Sequence, residues 1–307
     1  MSEANPIIEC VPNFSEGVDA KKVESIVSAM RVDGVHLLDW SMDADHNRSV
    51  VTIAGPPAAV VESAIRGAGR AAELIDLTVQ QGVHPRIGAA DVIPFVPISG
   101  IRLEQCALLA RQAGMEIWRR FGVPVYFYEA AASRPDRSNL EDVRKGQFEG
   151  LRDAVRKDSS RRPDLGGPGL HPTAGASAVG ARKFLIAYNI YLNTADVAIA
   201  RAIAKEIRAS GGGFKGVKAL GVLAHGRAQL TMNITDFTVT PVSQVHARVA
   251  ALAARHKTAL GEGELIGLVP QAACEMENDW MRQLTGFQPE AKILERRLEN
   301  PLPWPKR

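Results

Sequence analysis

Short apolar runs alternate with amphipathic stretches along the first hundred residues. Residues 6–11 read as a strand. Val23, Ile26, Val27 and Met30 then recur at i, i+3, i+4 and i+7, one helical face, with Asp19 placed to cap it. Residues 35–40 and 48–54 predict strands around the polar turn 41–47. A helix over 57–77 starts on a proline and buries Val61, Ala64, Ile65, Ala68 and Ala72, and residues 92–98 close the series as an apolar strand. The order is β-α-β-β-α-β.

It returns after residue 184. Strands at 184–191, 217–224, 228–235 and 264–269 enclose a helix capped by Thr194 and a second helix over 241–258. The halves share no visible sequence identity, only the order of elements. A split β-α-β unit folded twice predicts an α/β (α+β) protein of two ferredoxin-like βαββαβ subdomains packed side by side. The expected division is 1–180, 181–300 and a loosely held tail at 301–307. A helix over 102–120 and a strand over 124–128 stand between the repeats. Residues 133–172 show little periodicity, and a connector of that length is expected to cover the active site.

Composition adds bounds. The chain has 307 residues, 46% hydrophobic and 23% charged, enough apolar material for a large core. The 37 basic and 34 acidic residues are interleaved, so no nucleic-acid surface is expected. Three cysteines, Cys10, Cys106 and Cys274, form no pattern that suggests disulfides. With no leader-like start and no apolar run of membrane-spanning length, the expectation is a soluble, cytoplasmic protein without membrane association.

Three segments carry candidate chemistry. His84 stands in QQGVHPRIGAAD, where Pro85 stiffens the backbone and Gly82 and Gly88 permit tight bends. An imidazole held there, near Arg86 and Asp91, suits a general base, although a loop histidine with one backbone bond would fit equally. The segment DWSMDADHNR gathers Asp39, Asp43, Asp45, His46, Asn47 and Arg48, open to three readings: a metal site, a cation-binding site or a polar hairpin tip. The small residues of GGPGLHPTAGASAVGAR would let backbone amides approach a ligand or make a mobile linker. No histidine or cysteine spacing matches a zinc site, and no metal is expected.

Together these segments resemble the formiminotransferase family. The resemblance runs through IECVPNFSEG, DHNRSV, HPRIGAADV with PFVP, HPTAG, GARKFLIAYN and GLVP, covering roughly residues 7 to 275 in order. It implies transfer of a formimidoyl group from N-formimidoyl-L-glutamate to N5 of tetrahydrofolate, giving 5-formimidoyltetrahydrofolate and L-glutamate in histidine breakdown. It implies a homodimer, with tetrahydrofolate as co-substrate. His84 falls on the family's catalytic histidine. The folate-contacting stretch falls on Leu170, His171, Pro172, Thr173, Ala174, Gly175, Ala176, Ser177, Ala178 and Val179. Many animal relatives carry P-S-W-G where this chain has Pro172-Thr173-Ala174-Gly175, so an aromatic is missing there.

A cationic amidine donor calls for a carboxylate, with Asp39 preferred over Asp43 and Asp45. The carboxylates of both substrates call for Arg48, Arg86, Arg182 or Lys183. His46 is expected as a polar contact or as the group orienting Asp45. His225, His246 and His256 are expected to be structural, and Cys10 to lie in the core. Two other classes compete: a metal-dependent hydrolase of formimidoylglutamate and a non-catalytic folate-binding dimer.

Overall fold

The computed structural model describes residues 5–274 and 278–306. The chain divides into two compact units, 5–182 with 301–306, and 183–300. The fold is α+β, and both units carry the expected β-α-β-β-α-β order.

In the first unit β1 (Ile7–Cys10) and β2 (Asn13–Phe14) form one interrupted strand. α1 (Ala20–Ala29) follows, with Asp19 accepting from the Lys21 and Lys22 amides. β3 (His36–Asp43), β4 (Arg48–Gly55), α2 (Pro57–Leu74) and β5 (Ala90–Ser99) complete the motif. The interrupted strand lies antiparallel between β4 and β5, and β3 flanks β4. That is the ferredoxin-like order. Period-two alternation divides the faces: Ile8, Cys10, Val51, Ile53, Ile93 and Phe95 enter a core with α1, α2 and α3 (Leu103–Phe121). Asn13 lies opposite Val50, two residues from Arg48, so Asn13 and Arg48 share the other face.

The first sheet is larger than the pattern predicts. β6 (Val125–Glu129) and β7 (Ser177–Ala181) extend it, with β7 parallel to both β5 and β6. The connector is also structured. α4 (Leu140–Val143) and α5 (Gln147–Lys157) bury Val143, Leu151 and Val155 with Val92, Tyr126, Tyr128 and Ala178, so helices cover both faces of this part of the sheet.

The second unit has β8 (Ile186–Leu192), α6 (Val197–Ile207), β9 (Val217–Ala224), β10 (Arg227–Ile234), α7 (Val242–Arg255) and β11 (Leu260–Ile266). Its strand order β11-β8-β10-β9 is the same arrangement. Asp196, not Thr194, caps α6 through the Ala198 amide. His246 is buried on α7 against the Gln283 side chain.

The tail is not loose. The Leu302 amide donates to the Leu37 carbonyl at 2.7 Å, and Leu302 and Trp304 pack on the first core. Burial of those two apolar side chains gives the segment its place. No helix among the described residues is long and apolar enough to cross a membrane.

Candidate active site

A small hollow in the first unit gathers His84, His46, Arg48, Gln80, Arg86 and Asp91. Its construction starts from the chain's close approaches. A Cβ at Gly17 would stand 2.1 Å from the Asp43 carbonyl oxygen, and one at Gly82 2.4 Å from that of His46. Only glycine lets the loop after β2 and the His84 loop press against the β3–β4 turn. Asn47 joins the three. Its Oδ1 accepts from the Gly17 amide at 2.9 Å and its Nδ2 donates to the Gln81 carbonyl at 2.6 Å.

His84 is half-buried in this loop. Arg48 Nη1 lies 2.6 Å from His84 Nε2. A guanidinium is a donor only, so Nε2 is the acceptor and the ring is neutral with its hydrogen on Nδ1. The pKa of His84 is pushed well below the usual 6.5, first by burial, then by the charges of Arg48 and Arg144 and by His46. The His46 ring centre is 6.2 Å from that of His84. The His46 amide is held by Asp43 Oδ1 at 2.8 Å, which fixes this end of the turn. Asp45 contributes its carbonyl, which receives the Val83 amide.

Arg48 donates its second Nη to Asn13 Oδ1, and its Nε is buried without a partner. Burial and the neighbouring Arg144 bring its pKa down to about 10. Asp91 accepts from the Ile87 amide at 2.8 Å and pairs with Arg144. Arg86 is spent on structure. Its Nη1 and Nη2 hold the Glu149 carboxylate at 2.9 and 2.8 Å, and Nε and Nη2 also bond Gln80 at 2.6 and 2.8 Å. An arginine so saturated has little left for a substrate carboxylate, against the expectation for it.

The segment 170–179 splits in two. Ala176, Ser177, Ala178 and Val179 are at most 1% exposed; the last three belong to strand β7, where Ser177 pairs with β6 and Ala178 and Val179 pair with both β5 and β6. Their smallness serves sheet packing, and their amides are not available to a planar ligand. Ala174 and Gly175 are also buried, tied to the loop of His84: the Ala89 amide donates to the Ala174 carbonyl at 2.9 Å, and Gly175 bridges Gly88. Leu170, His171, Pro172 and Thr173 retain exposure. His171 Nδ1 accepts from the Ala174 amide at 3.0 Å, which closes the turn and leaves Nε2 as the ring's other polar atom.

Asp39 stands on β3 opposite Thr52 and does not line the hollow; neither does Asp45. Arg182 lies elsewhere on the sheet, where its charge opposes burial in setting the pKa of Glu9. Lys183 pairs with Asp236 in the second unit. Among the described residues no three His, Cys, Asp or Glu side chains are grouped to hold a metal ion.

The sequence reading missed Asn13, Gln80, Arg144 and Glu149. Arg144 precedes, and Glu149 lies within, the run Phe148, Leu151 and Val155, whose i, i+3 and i+7 spacing is a helical signal set among charges.

The formiminotransferase domain, N-terminal subdomain, matches residues 7–182, and the formiminotransferase domain matches residues 187–293. This chain belongs to the formiminotransferase family. The glutamate formimidoyltransferase of Thermoplasma acidophilum is 44% identical over 95% of this chain and 97% of that protein. That of Streptococcus pyogenes serotype M1 is 42% identical over 95% and 98%. The formimidoyltransferase-cyclodeaminase of Gallus gallus is 40% identical over 87% of this chain but only 51% of its own length. Membership of this family makes the chain a transferase.

Proposed function

We propose that the chain transfers the formimidoyl group of N-formimidoyl-L-glutamate to N5 of tetrahydrofolate, with His84 as general base, in histidine breakdown. One observation carries the assignment of the base. The histidine on the family's H-P-R-x-G motif is neutral, has its lone pair on Nε2, and lines a hollow rich in polar side chains.

The chemistry asks for such a group. N5 is a secondary amine that must lose a proton as it bonds to the formimidoyl carbon. His84 takes that proton and returns it to the glutamate nitrogen as the carbon–nitrogen bond to glutamate breaks. The donor enters as an amidinium, and attack moves its positive charge onto N5 of a tetrahedral carbon bearing three nitrogens, from which the base removes the proton. The transition state therefore calls for proton transfer and positioning more than for an oxyanion hole. Within 170–179, residues 170–173 are the part open to folate. Asp39 remains the proposed amidinium partner, which requires donor binding on the face of the sheet that Asp39 shares with Arg48. A cytoplasmic dimer completes the reading.

The test is an assay with N-formimidoyl-L-glutamate, with and without tetrahydrofolate, for wild type and His84→Gln. The reading expects folate-dependent release of glutamate, reduced about 100-fold or more in the variant. Turnover without folate points to a hydrolase. Folate binding without turnover points to a binding protein.

A further inference from the structure

The atom that must take the proton is already occupied. Arg48 Nη1 donates to His84 Nε2 across 2.6 Å, and a neutral imidazole has only that one lone pair in its ring plane. His84 cannot receive the N5 proton while Arg48 stays there.

Arg48 is also a cation bonded only to neutral groups. Among the described residues its side-chain partners are the His84 imidazole and the Asn13 amide, and its Nε has none. Asp91, the carboxylate whose field reaches it, is committed to Arg144 and the Ile87 amide. Arg144 adds like charge to the same neighbourhood. A half-buried guanidinium in this position exchanges neutral acceptors for a carboxylate that comes within reach, because charge-assisted hydrogen bonds are roughly twice as strong.

The geometry points to a substrate-operated cap: a donor carboxylate draws Arg48 off His84 Nε2, so the base is freed only when the donor is seated. This rests on His84 being the base of formimidoyl transfer. In the donor, the α-carboxylate sits on the carbon that bears the leaving nitrogen. A group touching the base can therefore reach it. The carboxylates of folate lie beyond the aminobenzoyl ring from N5, so folate arriving alone meets a capped base. Arg48 is in this sense a specificity residue as well as a positioning one: a donor without that carboxylate leaves the base unavailable.

Reaction with diethyl pyrocarbonate, which acylates an imidazole lone pair, reads the cap directly. His84 modification is followed by peptide mass spectrometry on the full chain, with exposed His36 as internal reference. The probes are glutarate, which has both carboxylates and nothing at the reacting position, and glutaramide, its uncharged analogue. The cap predicts that glutarate accelerates His84 modification severalfold, that glutaramide does not, and that His36 is indifferent to both. Arg48→Met should react fast without glutarate and gain nothing from it, and Arg48→Lys should fall between. Glutarate that slows His84 or leaves it unchanged overturns the cap. So does an Arg48→Met chain that is folded and still reacts slowly. If that variant does not fold, the wild-type comparison of glutarate with glutaramide decides alone. Transfer activity with a His84 indifferent to glutarate removes the cap and keeps the function. Acceleration by glutarate in a chain that transfers nothing does the reverse.

Discussion

Arg86 grips Glu149 with two parallel hydrogen bonds, joining the loop of His84 to a helix more than sixty residues further along the chain. The two ends are unequal. Arg86 is buried and also bonded twice to Gln80, whereas the Glu149 side chain is 57% exposed. Glu149→Gln should therefore cost less than about 1 kcal/mol, because water rehydrates that end. Arg86→Lys loses the planar fork and strands Gln80, and should cost about 1–3 kcal/mol. Chemical denaturation of both variants checks the ranking, and a larger effect at Glu149 would contradict it.

Glu9 gives the fold a pH dependence of its own. Burial raises its carboxyl from 4.5 to about 7, and the charge of Arg182 offsets this only in part. A raised pKa means that the folded chain holds the proton more tightly than the unfolded one. The stability tied to this proton is fully present below pH 4.5 and is lost as pH climbs through 7, on the order of 3 kcal/mol in all. Glu9→Gln should melt higher than wild type at pH 8, with the advantage shrinking toward pH 5. Equal melting temperatures at pH 8 would mean that Glu9 is ionised without penalty.

The two ferredoxin-like motifs were legible because their strands and helices bury one face each. Val23, Ile26 and Val27, or Val51 and Ile53, print the period of their element directly on the chain. β7 was not legible. Ser177-Ala178-Val179-Gly180-Ala181 is made of small residues, and parallel neighbours on both sides, not its own hydrophobicity, make it a strand. His84 was visible from its stiff loop, but its electrostatics were not. Arg144 and Glu149 arrive from a distant, charge-rich segment, and only the folded chain shows that Arg86 is spent on Glu149 while Arg144 faces Asp91.

Gly82 is where the site leaves no room. A Cβ there would meet the His46 carbonyl oxygen at 2.4 Å and Asn47 Cβ at 2.8 Å, backbone and a side chain already fixed by two hydrogen bonds. Gly82→Ala must displace the loop two residues before His84. The expected result is a fall in kcat of about 10-fold or more, since small misplacements of a base are costly. The melting temperature should drop by only a few degrees, because the loop is exposed. Unchanged turnover in this variant would show that the loop yields without moving the imidazole.

The last prediction concerns the acid limb of the pH–rate profile. His84 works as a base only when neutral, and burial, Arg48, Arg144 and His46 all hold its pKa below 6.5 in the free protein. The acid limb of kcat/KM, which reports the free enzyme, should therefore lie below pH 6.5. Arg48→Met removes one of the positive charges and should move that limb upward. In the donor complex a carboxylate cancels much of the same charge, so the limb of kcat should also stand above that of kcat/KM. Profiles of wild type and variant against the formimidoyl donor, at saturating folate, measure both differences. A wild-type limb at or above 6.5 in kcat/KM would mean that a group other than this His84 sets it, and an Arg48→Met limb that moves down would reverse the sign that the guanidinium's position demands.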